Sequence, residues 1–162
     1  MAQDYIMRLI EQAAQMLAAI IAYRRAGRVA EAALEIETKC RQTVGLPLDM
    51  VRRSTPESLW ELLGQGGGLR YPRAVMLAEL LLQDAELARN ANRATDMIRN
   101  QLQAFCLLHE CIPVLSYDEA AVYRPRLEAL ARELEGSSSG GETGYIEEKL
   151  RAYRVPEASR AP

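Results

Sequence analysis

Across residues 4–44 the apolar positions recur at three- and four-residue steps. Ile6, Ile10, Ala13, Leu17 and Ile20 or Ile21 fall on one face of a helix. A second apolar row, Tyr5, Leu9, Met16 and Tyr23, runs beside the first, so the helix is wide enough in its apolar face to be contacted from two sides. Asp4 is placed to cap the start and to pair with Arg8 one turn on. Gly27 supplies the left-handed backbone that ends a helix, with Arg24 and Arg25 set against the helix dipole. The chain then restarts with Val29, Ala32, Ala33, Ile36, Cys40 and Val44 predicted to face back. The pattern predicts an αα-hairpin turning at residues 23–28.

Further along, Gly45-Leu46-Pro47-Leu48 ends the second helix and opens an irregular link. Ser54-Thr55-Pro56-Glu57 reads as a helix start, with Ser54 and Glu57 spaced as a capping box. A short helix over 56–63 carries Leu59, Trp60, Leu62 and Leu63 and stops at Gly64. Trp60, the one tryptophan, reads as a core plug, because a stacking role would need an open groove beside it. Residues 72–89 are apolar nearly all round as far as Leu82, which predicts the most buried element. The next helix, 92–112, turns Met97, Ile98, Leu102, Phe105, Leu108 and Ile112 inward, and Asn90-Ala91-Asn92 stands where Gly27 stood in the first hairpin. Ser116 and Glu119 form a second capping box, opening a helix through Tyr123, Leu127, Leu130 and Leu134 that Pro125 is expected to kink or split near Val122. Gly136-Ser137-Ser138-Ser139-Gly140-Gly141 has the composition of a flexible linker. A last amphipathic helix over 145–153 fits a cap on the array, a helix docked on a partner, or a detached helix equally well.

The spacing Ile20, Tyr23, Gly27, Val29, Ala32, Ile36 is similar to the core of a tetratricopeptide (TPR) unit. Such a unit has an aromatic late in its first helix, a small turn residue, and an alanine where the two helices touch closely. The opening Asp4-Tyr5-Ile6-Met7-Arg8-Leu9-Ile10-Glu11-Gln12 resembles the start of an uncharacterised bacterial family of TPR-like helical proteins. The resemblance covers residues 4–110 and implies an all-α, TPR-like αα-hairpin array, a right-handed superhelix of two clear hairpins with a less regular C-terminal helical pair. It implies no activity, cofactor or catalytic residue. The expected organisation is a helical domain over 1–135, a Gly/Ser linker over 136–144, and a short terminal helix and tail over 145–162. Stacked repeats need about three units and capped ends, so two units leave apolar flanks that a homodimer would cover.

Composition narrows the function. Alanine (24) and leucine (22) dominate the 162 residues, and no window alternates apolar and polar positions over strand length, which leaves an all-α class. A net charge of −2 argues against a nucleic-acid partner. The 18 arginines against 2 lysines are scattered among acids, as a genomic codon bias would leave them. No apolar run approaches the ~20 residues of a membrane span. Polar and charged residues in the first twenty argue against a signal peptide, and three cysteines read as reduced thiols, so a cytoplasmic location is expected.

Candidate chemistry is sparse. Gly64-Gln65-Gly66-Gly67-Gly68 has neither the preceding strand nor the Lys-Ser/Thr pair of a phosphate loop and reads as a connector. In Cys106-Leu107-Leu108-His109-Glu110-Cys111, Cys106, His109 and Glu110 can share a face, while Cys106 and Cys111 diverge by about 140° at ~100° per residue. Zinc needs four converging ligands, and a second cluster is missing. A Cys106 thiol activated by His109 is the one catalytic arrangement conceivable; a buried thiol beside a surface histidine is the preferred reading. Acids such as Asp84 with Glu86, or Glu147 with Glu148, read as solvated charges. Glu79, inside an apolar run, is predicted to meet an arginine across an interface, Arg8 or Arg99. The expectation is therefore a non-enzymatic protein or peptide adaptor without cofactor or metal. Its contact residues are expected on the polar strip Asp4, Arg8, Glu11 and Gln12 and at the corner Arg24, Arg25 and Arg28. The alternative is a small-molecule or regulatory sensor with a pocket between helices. An enclosed apolar cavity with converging arginines would favour the sensor; a continuous open groove would favour the adaptor.

Overall fold

The computed structural model describes residues 2–65, 69–137 and 143–154, with 2–7, 9 and 143 as backbone alone. The described residues form eight α-helices and no strand. They are α1 (Ala2–Arg25), α2 (Val29–Lys39), α3 (Leu48–Arg53), α4 (Pro56–Leu63), α5 (Arg70–Asn90), α6 (Ala94–Cys111), α7 (Tyr117–Gly136) and α8 (Thr143–Arg154). A wider, π-type turn at Cys40–Val44 continues α2, and a 3₁₀ turn at Ile112–Val114 continues α6. None of these helices is long and apolar enough to cross a membrane.

The stretch that is apolar on almost every side becomes the centre. α5 buries residues all round its axis, from Ala74 through Leu81 and again at Asp84, Ala85, Leu87 and Ala88. It pairs with α6 along their whole length, and α1, α2 and α4 also pack on it. α7 packs on α6 and reaches α5 through the pairs Arg126 with Glu79 and Glu133 with Arg89, and α8 packs on α6 and α7. In the first hairpin Gly27 turns with φ +74°, and in the second Asn92 takes φ +58°, the left-handed conformation that asparagine tolerates. Ile20, Ala32 and Ile36 are completely buried where α1 meets α2, whereas Val29 is half exposed and does not face back as its spacing suggests. Val29 opens α2, one residue past the turn, where the helix has not yet closed on its partner.

Polar side chains tie this core together. Asp84, which the sequence reads as a solvated acid, is 4% exposed. It accepts a bidentate bond from Arg52 (3.0 Å) and another from Asn100 Nδ2 (2.9 Å), joining α3, α5 and α6. Glu79 does meet an arginine, but its partner is Arg126 of α7 rather than Arg8 or Arg99, through two charge-assisted bonds. Gln103 donates to the carbonyls of Val51 and Ser54, and Arg73 donates to those of Val44, Leu63 and Gln65. These bonds fold the segment 44–65 onto the central pair.

Three local expectations are corrected. Residues 48–53 are helical rather than irregular, Pro47 standing at the N-cap position where its missing N–H costs nothing. The cap of α4 is Thr55, whose hydroxyl accepts from the Ser58 N–H; the Ser54 hydroxyl is spent on the Met50 carbonyl. Pro125 does not split α7, because it and Ala121, whose carbonyl loses its donor, both lie on the solvent side where water can satisfy that oxygen. The Ser116–Glu119 capping box forms as expected.

Candidate functional site

On the eight-residue α4, Glu57 and Glu61 are one turn apart, and Trp60 lies between them. α4 is set beside α6 so that this face looks onto Phe105, Cys106, His109 and Glu110, while α8 closes one side with Lys149 and Ala152. Between the three helices runs an open groove of about 600 Å³. Phe105 and His109 of its lining stack with centroids 6.1 Å apart, and Tyr153 of α8 stands edge-on to both, at 5.2 and 5.4 Å. Trp60 is half-buried at the rim rather than plugging the core. It meets the edge of Tyr71 at 5.5 Å, and the Arg70 guanidinium lies over its ring at 5.2 Å. Gly64 makes that placement possible, since a β-carbon there would fall 2.0 Å from Arg70.

The groove is acidic at its edges. Glu61 and Glu110 are exposed. Glu57 is engaged by α8: Lys149 forms an ion pair with it, and the Tyr145 hydroxyl donates to both its oxygens at 3.0 and 2.8 Å. The Lys149 bond holds the Glu57 carboxyl below its ordinary range, against some desolvation, with the Tyr145 bond adding to the effect. Farther along α8, the Tyr153 hydroxyl donates to Glu128 at 3.2 Å and Arg154 pairs with Glu135 and Glu128. Ile146 and Leu150 are buried beneath these polar ties. The terminal helix therefore packs on the domain.

The thiols show no activation. Burial pushes Cys106 and Cys111 up to about 12 and Cys40 up to about 11, so all three are held as neutral thiols. Among the described residues no group of three or more histidines, cysteines and acids could hold a metal.

The residues proposed from the sequence as contacts do not converge. Arg8, Glu11 and Gln12 are exposed on the first half of α1, and the side chain of Asp4 lies outside the described residues. Sixteen residues separate Arg8 from Arg24, about 24 Å along the axis at 1.5 Å per residue. At the corner, Arg24 donates to Gln83 of α5 at 3.1 Å, and Arg28 pairs with Glu31 at 3.2 Å and lies over the Tyr23 ring at 5.0 Å. Arg25 is exposed. Gly66, Gly67, Gly68 and residues 138–142 of the predicted linker lie outside the described residues. The groove residues Glu57, Glu61, Trp60 and Glu110 escape a sequence reading because they come from helices far apart in the chain. The one available signal was the i,i+4 spacing of Glu57 with Glu61 and of Tyr145 with Lys149.

A second cleft, of about 570 Å³, is lined by Arg52, Arg53, Arg99 and Gln103. Its three cations are each set against an acid, Asp84, Asp49 and Asp96 respectively. Compared with known proteins, the chain matches no family model, no curated protein and no solved structure.

Proposed function

We propose that this chain is a protein-interaction module of TPR-like type that receives a peptide or protein segment in the groove between α4, α6 and α8. The openness of that groove carries the reading. It is lined by aromatic rings and exposed acids rather than being an enclosed apolar cavity with converging arginines. The arginines that do gather, in the second cleft, are already neutralised by aspartates, which disfavours a small anionic ligand. Glu61 and Glu110 suit a segment carrying lysine or arginine, and the half-buried Trp60 offers surface for its apolar stems. The exposed strip Arg8, Glu11 and Gln12 on α1 is a second contact surface in the same proposal, as is the Arg25 side of the corner.

The hairpin pairing of α1 with α2 and of α5 with α6 is what supports a TPR-like arrangement, and the proposed setting is cytoplasmic. A homodimer is part of the proposal, since Val114, Tyr117 and Val122 leave an apolar patch at the corner of α6 and α7, with Tyr117 90% exposed. A monomer by light scattering across micromolar concentrations would remove it. The test of the module is affinity capture with mass spectrometry. A partner held by the wild type, lost by a Trp60→Ala/Glu61→Lys/Glu110→Lys chain and kept by an Arg8→Ala/Gln12→Ala chain assigns the groove. The opposite pattern moves the surface to α1, and failure to hold any partner counts against the adaptor.

A further inference from the structure

We infer that α8 is a tethered occupant of a helix-binding seat, and that the seat takes a basic amphipathic helix from another protein in its place. The inference rests on the adaptor proposal and names the partner's chemistry, the groove that α8 borders widening into the seat that α8 leaves. α8 has the form of a helical ligand. Tyr145, Ile146, Lys149, Leu150 and Tyr153 fall on one stripe and face the domain, while Glu147, Glu148 and Arg151 face water. Two aliphatic anchors one turn apart, Ile146 and Leu150, are buried to 2% and 5% exposure, and the Tyr153 ring lies against Phe105 and His109.

The polar contacts are complementary in one sense: the helix brings cations and hydroxyls, and the seat brings carboxylates. Lys149 and Tyr145 meet Glu57 of α4; Arg154 and Tyr153 meet Glu128 and Glu135 of α7. All three acceptor carboxylates are more than a third exposed, so these pairs guide register more than they add stability. Across the open groove that α8 borders with Lys149 and Ala152, Glu61 and Glu110 extend the same acidic character. A helix with further lysines or arginines on its groove-facing side would therefore make contacts that α8 does not. α8 belongs to the same chain as its seat and binds it intramolecularly, so a weak helix suffices to hold the seat until a better ligand arrives.

The experiment uses the full chain and, as probe, a fluorescent peptide of residues 143–154, read by anisotropy. In one chain Ile146→Asp and Leu150→Asp evict its own α8. In a milder chain Tyr145→Phe and Lys149→Glu remove the Glu57 ties but keep both aliphatic anchors. The expected result is a Kd at least about tenfold tighter for the evicted chain than for the wild type and about threefold tighter for the milder one. Adding Glu57→Lys and Glu128→Lys to the evicted chain is expected to reverse the gain. Equal binding by wild type and milder chain, or none by an evicted chain whose circular dichroism remains that of a folded protein, overturns the inference. So does an evicted chain that recovers its helix from a second, wild-type copy but ignores the free peptide, since the occupant is then another protomer. A chain that captures its partner through the open groove yet never binds the peptide loses this inference and keeps the adaptor. Peptide binding with no captured protein does the reverse.

Discussion

The α5–α6 pair and α8 are both helical and both carry buried leucines, yet they are attached to the molecule by opposite means. α5 is surrounded on every side, and its acids Glu79 and Asp84 are buried with arginine and asparagine partners that reach in from other helices. α8 is covered on one side, and its ion pairs sit at the surface. A carboxylate buried as Glu79 is cannot lose its partner without a large penalty, whereas a pair as exposed as Glu57 with Lys149 can be exchanged for water or for another cation at little cost. The first arrangement specifies a fold. The second suits a contact made and unmade.

The comparison can be pressed by substitutions of decreasing effect. Leu77→Ala, at a completely buried site on α5, is expected to lower the unfolding free energy by ~3–4 kcal/mol in urea denaturation. Arg126→Ala leaves the Glu79 carboxylate stranded and is expected to cost ~2–3 kcal/mol, less than a fully enclosed pair because Arg126 is 38% exposed. Adding Glu79→Leu to that chain is expected to restore most of the loss; a double variant as unstable as the single would mean that the pair is not the source. By contrast Leu150→Ala in α8 is expected to move the global transition by no more than ~1 kcal/mol, on the proposal that α8 opens locally before the rest unfolds.

The smallest effect is electrostatic. Glu57 is held below its ordinary value of 4.5, first by the Lys149 bond, so its contribution is complete above pH 4.5 and is lost as the pH falls through the lower, folded value. α8 is therefore expected to loosen on acidification below about pH 4.5, followed by its tyrosine fluorescence. Glu57→Gln is expected to flatten that response at a cost of at most about 1 kcal/mol at neutral pH. An unchanged acid response in the Gln variant would assign it to Glu128 instead, whose carboxyl is also held below its ordinary value, against desolvation, by Tyr153 and Arg154.

Much of the fold is legible in the sequence, because periodicity and capping are local. The turn at Gly27, the left-handed Asn92, the Ser116–Glu119 box and the all-round burial of α5 each follow from a few neighbouring residues. What escapes is what depends on distant partners. Asp84 looks like a surface acid until Arg52 and Asn100 are brought to it, and Glu79 requires an arginine, but its sequence neighbourhood cannot say that Arg126 supplies it. Trp60 illustrates the same limit for the site. Its apolar neighbours Leu59 and Leu63 are buried, and the spacing gives no sign that Trp60 itself turns toward a groove whose other wall lies some forty-five residues later, at Phe105 and His109. The polar strip on α1 was legible as a strip, but nothing local shows that it stands apart from the groove.

The separate standing of α8 is most directly tested by hydrogen exchange with mass spectrometry on the intact chain at neutral pH. The account predicts that amides of 146–154 exchange on the order of a hundredfold faster than those in the middle of α5 and α6, and that the 143–154 seat on α4 and α7 gains exposure with them. Equal protection of α8, α5 and α6, lost together in one cooperative opening, would contradict it and make α8 a fixed part of the core.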